Sequence, residues 1–146
     1  MKNTPCDKGD VAVAKTIADL TAKGIKIAVP LSAHLPFDLI AFDENYKSCR
    51  IQVKYCSNDK RLILSTQTVS VSSKIKVKPI NFDHIDAYAV YSSVTDKVYY
   101  VNIEKLKHNK RSLKLRIDET CKKDIRIKYA SDFLDVNSLW LNGWVV

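Results

Sequence analysis

The N-terminal part of the chain carries apolar residues at helical spacing. They recur every three or four positions and predict one helix over residues 7–23. The residues that would form its buried stripe are Val13, Ile17 and Leu20, with Ala14 beside them. Gly24 follows this stripe and is expected to end the helix, because glycine readily adopts the left-handed conformation common at helix C-termini.

Two aspartates lie near the start of this predicted helix, and they have two interpretations. Either Asp7 or Asp10 can cap the free amides of the first turn. Alternatively, Asp10 is a carboxylate that the helix presents to the following sheet. Both interpretations hold together if Asp7 is the cap.

After Gly24 the pattern changes to the alternation of apolar and polar residues that is typical of strands. A single helical turn is expected at 103–107. The predicted strands are 25–30, 37–42, 49–55, 62–71, 74–80, 86–93 and 97–102.

The second and third predicted strands, 37–42 and 49–55, are expected to form a hairpin with charged side chains in its middle. Asp38 interrupts an apolar run that has the composition of a strand covered on both sides, so we expect it to be buried. A buried carboxylate is costly unless a cation, a metal or hydrogen-bond donors hold it. In the next strand Gln52 and Lys54 share one face by alternation.

The turn of this hairpin sets which residues oppose each other. If the turn centres on 45–46, residues whose numbers sum to about 90–92 are directly opposite, with Cβ atoms roughly 5 Å apart. Asp38 then lies across from Gln52 or Lys54. An acid, an amide and an amine in one place would suit a divalent cation held against a phosphate.

Composition limits the class of protein. The chain has 146 residues, of which 46% are hydrophobic, and is expected to form one domain over 1–146. No apolar run approaches the roughly 20 residues of a membrane span, and the N-terminus has no signal-peptide core. We therefore expect a cytoplasmic (intracellular) protein with no membrane partner. The four cysteines show no metal-binding spacing and are expected to be reduced.

The formal net charge of +8 indicates a polyanionic partner, with nucleic acid as the default. The region 105–128 is strongly basic and is the best candidate for a DNA-binding arm, although a solvated charged face has the same composition. A comb of lysines in the strand 74–80 suits a phosphate backbone, or protects a strand edge from aggregation. The candidate DNA-binding residues are Lys74, Lys76, Lys78, Lys107, Lys110 and Arg111.

The order of these elements and motifs resembles the PD-(D/E)XK nuclease superfamily. Pro36-Phe37-Asp38 matches the first half of its motif, and Gln52-Val53-Lys54 matches the second. Gly9-Asp10 at the helix start and the run 50–55 look most like the PD-(D/E)XK homing endonucleases associated with group I introns. The resemblance covers residues 8–56.

The resemblance implies a fold and a domain organisation. The fold would be α/β, with a mixed (α+β) sheet: a restriction-endonuclease-like core in which a helix is followed by a β-meander, with extra C-terminal strands. The catalytic core would span about 7–102, and the region 103–146 would contact DNA. The apolar tail from 133 to 146 would either complete the core or form a subunit interface.

The resemblance also implies the chemistry of the site. Asp38, Gln52, the Val53 carbonyl and Asp10 would hold Mg²⁺, for which Mn²⁺ substitutes, and Lys54 would complete the catalytic set. Gln52 stands where most of the superfamily has an acid, and Asp10 where a glutamate is usual, so the site has one charge fewer and one shorter side chain.

The function so implied is a metal-dependent endonuclease acting on double-stranded DNA, of the homing type. Cutting both strands with one small site per chain calls for a homo-oligomer, either a dimer or a tetramer. The alternatives are a Holliday-junction resolvase or repair nuclease, and a non-catalytic nucleic-acid-binding protein with a degenerate site.

Overall fold

The computed structural model describes residues 4–109, 111–118 and 126–140. Two α-helices, nine strands and three short 3₁₀ helices lie in these ranges. The helices are α1 (Pro5–Ala22) and α2 (Glu104–Lys107), and the 3₁₀ helices are Phe82–His84, Ala130–Phe133 and Val136–Leu139. The strands are β1 (Lys26–Ala28), β2 (Leu39–Phe42), β3 (Ser48–Cys56), β4 (Arg61–Ser65), β5 (Gln67–Val71), β6 (Ile75–Pro79), β7 (Ala87–Ser92), β8 (Lys97–Asn102) and β9 (Ser112–Arg116).

A capping box fixes the start of α1. Thr4 is the N-cap, and its hydroxyl accepts a hydrogen bond from the Asp7 amide at 3.2 Å. The Asp7 carboxylate in turn accepts from the Thr4 amide at 2.7 Å. The Thr4 hydroxyl also donates to the Asp7 carboxylate at 2.7 Å, and this bond, together with the bond from the Thr4 amide, lowers the pKa of Asp7. The helix therefore begins at Pro5, before the predicted start, and Asp7 is the capping residue, which leaves Asp10 free of that role.

The other end of α1 follows the prediction. Gly24 has a φ of 78°, which is the left-handed conformation expected after the helix. Its amide donates to the Thr21 carbonyl at 3.0 Å, and the chain then enters β1.

The main sheet has five strands in the order β1-β2-β3-β7-β8. Its first three strands form an antiparallel meander, β7 lies parallel to β3, and β8 pairs antiparallel with β7. The predicted mixed α/β fold, with a helix and then a β-meander, is confirmed. The parallel pairing of β3 with β7 requires a crossover, and the residues of β4, β5 and β6 lie within that connection.

The two faces of this sheet are covered by different elements. One face packs on α1 through a core cluster that includes Leu20, Leu39, Ile51 and Tyr100. The other face packs on a two-stranded sheet formed by β4 and β9. That second cluster contains Leu62, Leu64, Leu113 and Leu115 from β4–β9, and Tyr88, Val90, Tyr99 and Val101 from β7–β8. The β4–β9 sheet thus covers β7 and β8.

The predicted strand 62–71 is divided in two at Thr66. β5 and β6 form a separate antiparallel pair, here called the ribbon, and β6 is exposed along its whole length. Thr66 donates its amide to the Arg111 carbonyl at 2.9 Å, so the ribbon begins where β4 ends and β9 starts.

The C-terminal residues that the structure describes complete the core. Leu139 is buried against the α1 face, and Trp140 packs on the same cluster. The Asn102 side chain donates to the Leu139 carbonyl at 2.7 Å. Of the two predicted roles for the tail, core closure is confirmed for this part, and residues 141–146 lie outside the described ranges.

The described residues also bear on the predictions about cysteines and membranes. Cys6, Cys49 and Cys56 are free thiols, as predicted, and Cys121 lies outside the described ranges. Within the part of the chain that the structure describes, neither helix combines the length and the apolar character that a bilayer-crossing helix needs.

Candidate active site

The register of the β2–β3 hairpin brings the predicted residues together. Leu39 lies opposite Ile51, so one step further Asp38 lies opposite Gln52. Leu39 and Ile51 face α1, and by alternation Asp38, Gln52 and Lys54 share the other face. The predicted register and the predicted common face are both confirmed.

The environment predicted for Asp38 is wrong. Asp38 is exposed to solvent and lies one residue before β2, not inside a strand covered on both sides. The reason is that β4–β9 covers β7 and β8, whereas the start of β2 lies at the end of a loop with water beside it. The neighbouring Phe37 does pack on the second core cluster, which explains the apolar sequence around an exposed acid.

Two hydrogen bonds hold Asp38 against β3. Its amide donates to the Ile51 carbonyl at 2.8 Å, and its Oδ2 accepts from the Val53 amide at 2.7 Å. The carboxylate therefore replaces the strand partner that β3 lacks at this point. Because the second oxygen makes no hydrogen bond to a described residue, it remains available to a ligand.

The Val53 carbonyl is directed to the same edge. Arg50 and Cys56 accept hydrogen bonds from the β7 side through their carbonyls, at 2.9 Å and 3.0 Å respectively. Alternation along β3 then directs the backbone groups of Val53 toward β2. Because β2 begins at Leu39, no strand pairs with β3 there. The edge beside Asp38 thus presents a carboxylate oxygen and a main-chain carbonyl.

Lys54 lies over an aromatic ring that sequence reasoning did not find. Its Nζ is 6.0 Å from the centre of the Tyr88 ring. Tyr88 lies beside Gln52 in the parallel β3–β7 register and is only 2% exposed. Burial raises the pKa of its phenol. A buried ring under an ammonium group restricts where that group can lie. From the sequence, Tyr88 could be recognised only as a tyrosine in a predicted strand. Its place beside Gln52 depends on the parallel pairing of β3 with β7, which is set by tertiary structure.

An ion pair fixes the register of β3 against β7. Arg50 donates from Nε and Nη2 to the two oxygens of Asp86, at 2.9 Å and 3.0 Å, and its backbone amide donates to Asp86 at 2.8 Å. These hydrogen bonds hold the pKa of Asp86 below its ordinary value. Asp86 directly precedes β7, so this pair lies at the start of the parallel register in which Tyr88 is beside Gln52.

Asp10 lies on α1 and belongs to a different element from the other site residues. Lys8 stacks over Tyr55 and Lys15 over Tyr91, which orients one flank of the helix toward β7. Five residues after Asp10, Lys15 is about 140° away around the helix, so Asp10 is turned away from the flank that carries Lys8 and Lys15. It is exposed, and no hydrogen bond or ion pair joins it to another described residue.

The oxygen atoms at this edge fit a hard divalent cation. Mg²⁺ prefers oxygen ligands and retains several waters, so few protein groups are needed. Asp38 is exposed, Gln52 and Val53 are half-buried beside it, and these residues offer a carboxylate, an amide and a main-chain oxygen. Within the described ranges, no three His, Cys, Asp or Glu residues come together as a metal cluster. The site therefore offers several oxygen ligands but little negative charge.

The six predicted DNA-binding residues fall into three groups. Three lie on β6 or directly before it, two lie in α2 or directly before β9, and one lies outside the described ranges. Lys76 and Lys78 are exposed on β6, with Lys74 directly before it. Lys107 pairs with Glu104 in α2, which partly neutralises it. Arg111 is exposed and its carbonyl binds the start of the ribbon. The side chain of Lys110 lies outside the described residues.

Comparisons with known proteins agree with this geometry. A family model described as PD-(D/E)XK endonuclease matches residues 3–136. Among solved structures, the bacterial homing endonuclease I-Ssp6803I is similar, with a TM-score of 0.72 and 16% sequence identity, over 90% of this chain and 88% of that chain. At this identity the likeness concerns the fold. A comparison with curated proteins finds no match.

Proposed function

Because the chain belongs to the PD-(D/E)XK endonuclease family, we propose that it is a Mg²⁺-dependent endonuclease that cuts double-stranded DNA at specific sites, as a homing endonuclease does. The catalytic residues are Asp38, Gln52, Lys54 and Asp10. The metal ligands are Asp38, Gln52, the Val53 carbonyl and Asp10. Mn²⁺ is expected to substitute for Mg²⁺, since both accept oxygen ligands.

The feature that best supports this proposal is the hairpin register, together with the alternation of β3, which brings three polar side chains to one face of the sheet. Asp38 lies opposite Gln52, and Lys54 follows two residues later on the same strand and face. A plain ion pair between Asp38 and Lys54 is disfavoured, because no salt bridge joins them and each has another contact, with Val53 and Tyr88 respectively. These partners hold both groups ready for a substrate.

The residues of the chain have separable roles in phosphodiester hydrolysis. A bound Mg²⁺ would supply Lewis-acid stabilisation of phosphate charge and a more acidic water. Asp38 is oriented by the Val53 amide, so one of its oxygens is fixed and the other faces the substrate. Gln52 contributes an amide oxygen without adding negative charge. Lys54 orients the attacking water or offsets the negative charge that develops on the phosphoryl oxygens.

The ribbon is proposed to contact DNA, because its strand β6 carries the predicted row of lysines. Each of its strands has five residues and is therefore about 16 Å long. The major groove of B-DNA, about 12 Å wide, admits a two-stranded ribbon. Lys76 and Lys78 lie opposite Ser70 and Thr68, so cations and hydroxyls share one face. That face can contact phosphates, with Arg111 at the base of the ribbon and Lys107 and Lys110 nearby along the chain.

The assembly and the setting follow from the same proposal. One small site per chain cuts one strand at a time, so a homo-oligomer, either a dimer or a tetramer, is proposed for double-strand cleavage. We propose that residues 1–146 act as one domain inside the cell, where the DNA substrate lies.

Plasmid cleavage tests the proposed function directly. Supercoiled plasmid carrying the DNA that flanks the gene is incubated with Mg²⁺, Mn²⁺ or chelator and with the wild type, Asp38→Ala or Lys54→Ala. We expect metal-dependent cutting by the wild type and a loss of roughly 10²-fold or more in each variant. Asp83→Ala, which removes an exposed carboxylate elsewhere, is the matched control and should cut normally.

Two outcomes would contradict the proposal. Equal cutting by the wild type and both site variants would mean that these residues do not catalyse the reaction. Duplex binding by a folded wild type that shows no metal-dependent cutting would favour a non-catalytic binding protein.

A further inference from the structure

A cleft lined by cations lies on the outward face of the β4–β9 sheet, away from the residues assigned to catalysis. It has a volume of about 690 Å³. Leu62 and Leu64 turn inward to the core, so Arg61 and Ile63 of the same strand face outward. The cations that line the cleft are Lys60, Arg61, Lys114, Arg116, Arg126 and Lys128.

Among the described residues that line the cleft, cations outnumber carboxylates. Asp118 is the one carboxylate among the described lining residues, against six cations. Arg116, Asp118 and Arg126 each have interactions of their own in the folded chain, and the other described cations of the cleft are Lys60, Arg61, Lys114 and Lys128. Arg61 and Arg116 lie directly opposite each other across the antiparallel pair. Like charges in that position destabilise a sheet, so folding alone does not favour this arrangement.

The cleft and the catalytic residues lie on the same side of the main sheet. β4–β9 packs on the face opposite α1, and Asp38, Gln52 and Lys54 project from that same face where β2 and β3 leave it uncovered. The cleft is at the Arg61 end of β4, and the ribbon begins beyond Ser65, about 13 Å along the strand.

We propose that this cleft is a phosphate-binding site for the backbone of duplex DNA that flanks the position of cleavage. This inference rests on the proposed function, because it takes DNA as the substrate. Arginine presents a planar fork that binds phosphate oxygens in pairs, and lysine adds a point charge. Backbone contacts of this kind position a duplex without reading its sequence. The cleft therefore supplies affinity, and the catalytic edge supplies chemistry.

The test measures binding without cleavage. A short fluorescent duplex of arbitrary sequence is titrated with the full chain in chelator at several salt concentrations. Lys114→Gln and Lys128→Gln, made separately at exposed cleft positions, should each reduce the slope of log K against log salt by about 0.9 and weaken binding about eightfold at 0.1 M salt. Lys97→Gln removes the same charge from an exposed position beside α1 and should change neither value.

Each outcome supports or contradicts the proposal that the cleft binds DNA phosphates. Weaker binding and lower slopes in both cleft variants, with Lys97→Gln unchanged, support it. Unchanged slopes, an equal loss in Lys97→Gln, or no duplex binding by the wild type overturn it. Thermal unfolding identifies any variant that fails to fold, and the second cleft variant then decides.

The cleft and the proposed endonuclease function can fail separately. If the wild type never cuts plasmid but the cleft variants bind duplex more weakly, the nuclease proposal is contradicted and the proposal of a phosphate-binding cleft is supported. If the wild type cuts in an Asp38-dependent manner and the cleft variants bind normally, the cleft fails alone.

Discussion

Asp38 Oδ2 accepts a hydrogen bond from the Val53 amide at 2.7 Å, so a side chain occupies the place of a missing strand. The same residue donates its own amide to the Ile51 carbonyl at 2.8 Å. These two bonds give Asp38 a structural role in holding the end of the loop before β2, in addition to its proposed catalytic role. The two roles can be separated by substitution.

Asp38→Asn and Asp38→Ala should differ in stability but not in activity. Asparagine keeps an oxygen that can accept from the Val53 amide, so its free energy of unfolding should stay near that of the wild type. Alanine removes the acceptor and should cost about 1 kcal/mol or less, since water reaches the exposed amide. Both remove the carboxylate and should cut plasmid at least about 10²-fold more slowly. Chemical denaturation and initial cleavage rates check this, and cleavage by Asp38→Asn near the wild-type rate would contradict it.

The Tyr88 ring should position Lys54 through its aromatic face, not its hydroxyl. Tyr88→Phe keeps the ring 6.0 Å from the Lys54 Nζ and should cleave nearly as well as the wild type. Tyr88→Leu removes the ring and should lower kcat by about tenfold, with little change in KM, because duplex binding does not depend on this contact. Thermal unfolding must accompany both variants, since Tyr88 is buried.

The comparison of Tyr88→Phe with Tyr88→Leu makes this prediction specific. Equal losses in folded Tyr88→Phe and Tyr88→Leu would assign the effect to the hydroxyl. A change in KM alone would assign it to DNA binding.

The sequence predicted the local part of the site because alternation and turn length are local. The position of the turn at 45–46 was enough to place Asp38 opposite Gln52 or Lys54, and alternation put both on the same face. The observed register selects Gln52. The exposure of Asp38 could not be predicted in the same way. Its apolar neighbours indicated burial, but which half of the sheet is covered depends on how β4 and β9 pack, and that packing joins segments about fifty residues apart.

The placement of β7 beside β3 could not be predicted from the sequence, for a related reason. The hairpin of β7 and β8 was predicted with nearly the observed bounds, because its turn is short. That β7 runs parallel to β3, with Tyr88 beside Gln52, follows from a long crossover and from the Arg50–Asp86 pair. Neither leaves a periodic signal in the chain. The cationic cleft was missed in the same way, since Lys60 and Lys128 come together only in the folded protein.

The Arg50–Asp86 pair should contribute stability that depends on pH. Hydrogen bonds from Arg50 hold the folded-state pKa of Asp86 below its ordinary value of 3.8. The contribution is therefore fully present above about pH 4 and is lost as the pH falls through the lowered pKa. At neutral pH, Asp86→Ala should cost at most about 1 kcal/mol, because 37% of the Asp86 side chain is exposed and the pair is screened.

Denaturation of the wild type and Asp86→Ala between neutral and strongly acidic pH measures this contribution. The difference in unfolding free energy should shrink below about pH 4. Asp83→Ala, which removes an exposed carboxylate three residues earlier, is the matched control variant. A difference for Asp86→Ala that stays constant into the acid range would mean that its charge does not contribute.

The lysines of the ribbon should contribute to DNA affinity and not to stability. Replacing Lys74, Lys76 and Lys78 by glutamine should lower the salt slope of duplex binding by up to about 2.7, or about 0.9 for each phosphate contact. The melting temperature should not change, because these side chains are exposed. Val69→Thr with Val77→Thr, on the other face of the ribbon, is the matched control and should leave the slope unchanged. An unchanged slope in the triple variant would remove the ribbon lysines from the DNA interface.

Cys49 should resist alkylation in the folded protein. It is 2% exposed, and burial raises the pKa of its thiol to about 12, so at pH 8 only about 10⁻⁴ of it is thiolate. Cys6 is exposed on α1 and should react with iodoacetamide within minutes. Peptide mass spectrometry after timed labelling should therefore show Cys6 modified first and Cys49 modified only when denaturant is added. Because Cys49 lies in β3 opposite Ala41, its labelling rate reports the opening of the β2–β3 hairpin that carries Asp38 and Gln52. Labelling of Cys49 as fast as Cys6 in native protein would show that this hairpin opens readily, which would contradict the fixed geometry on which the catalytic assignment depends.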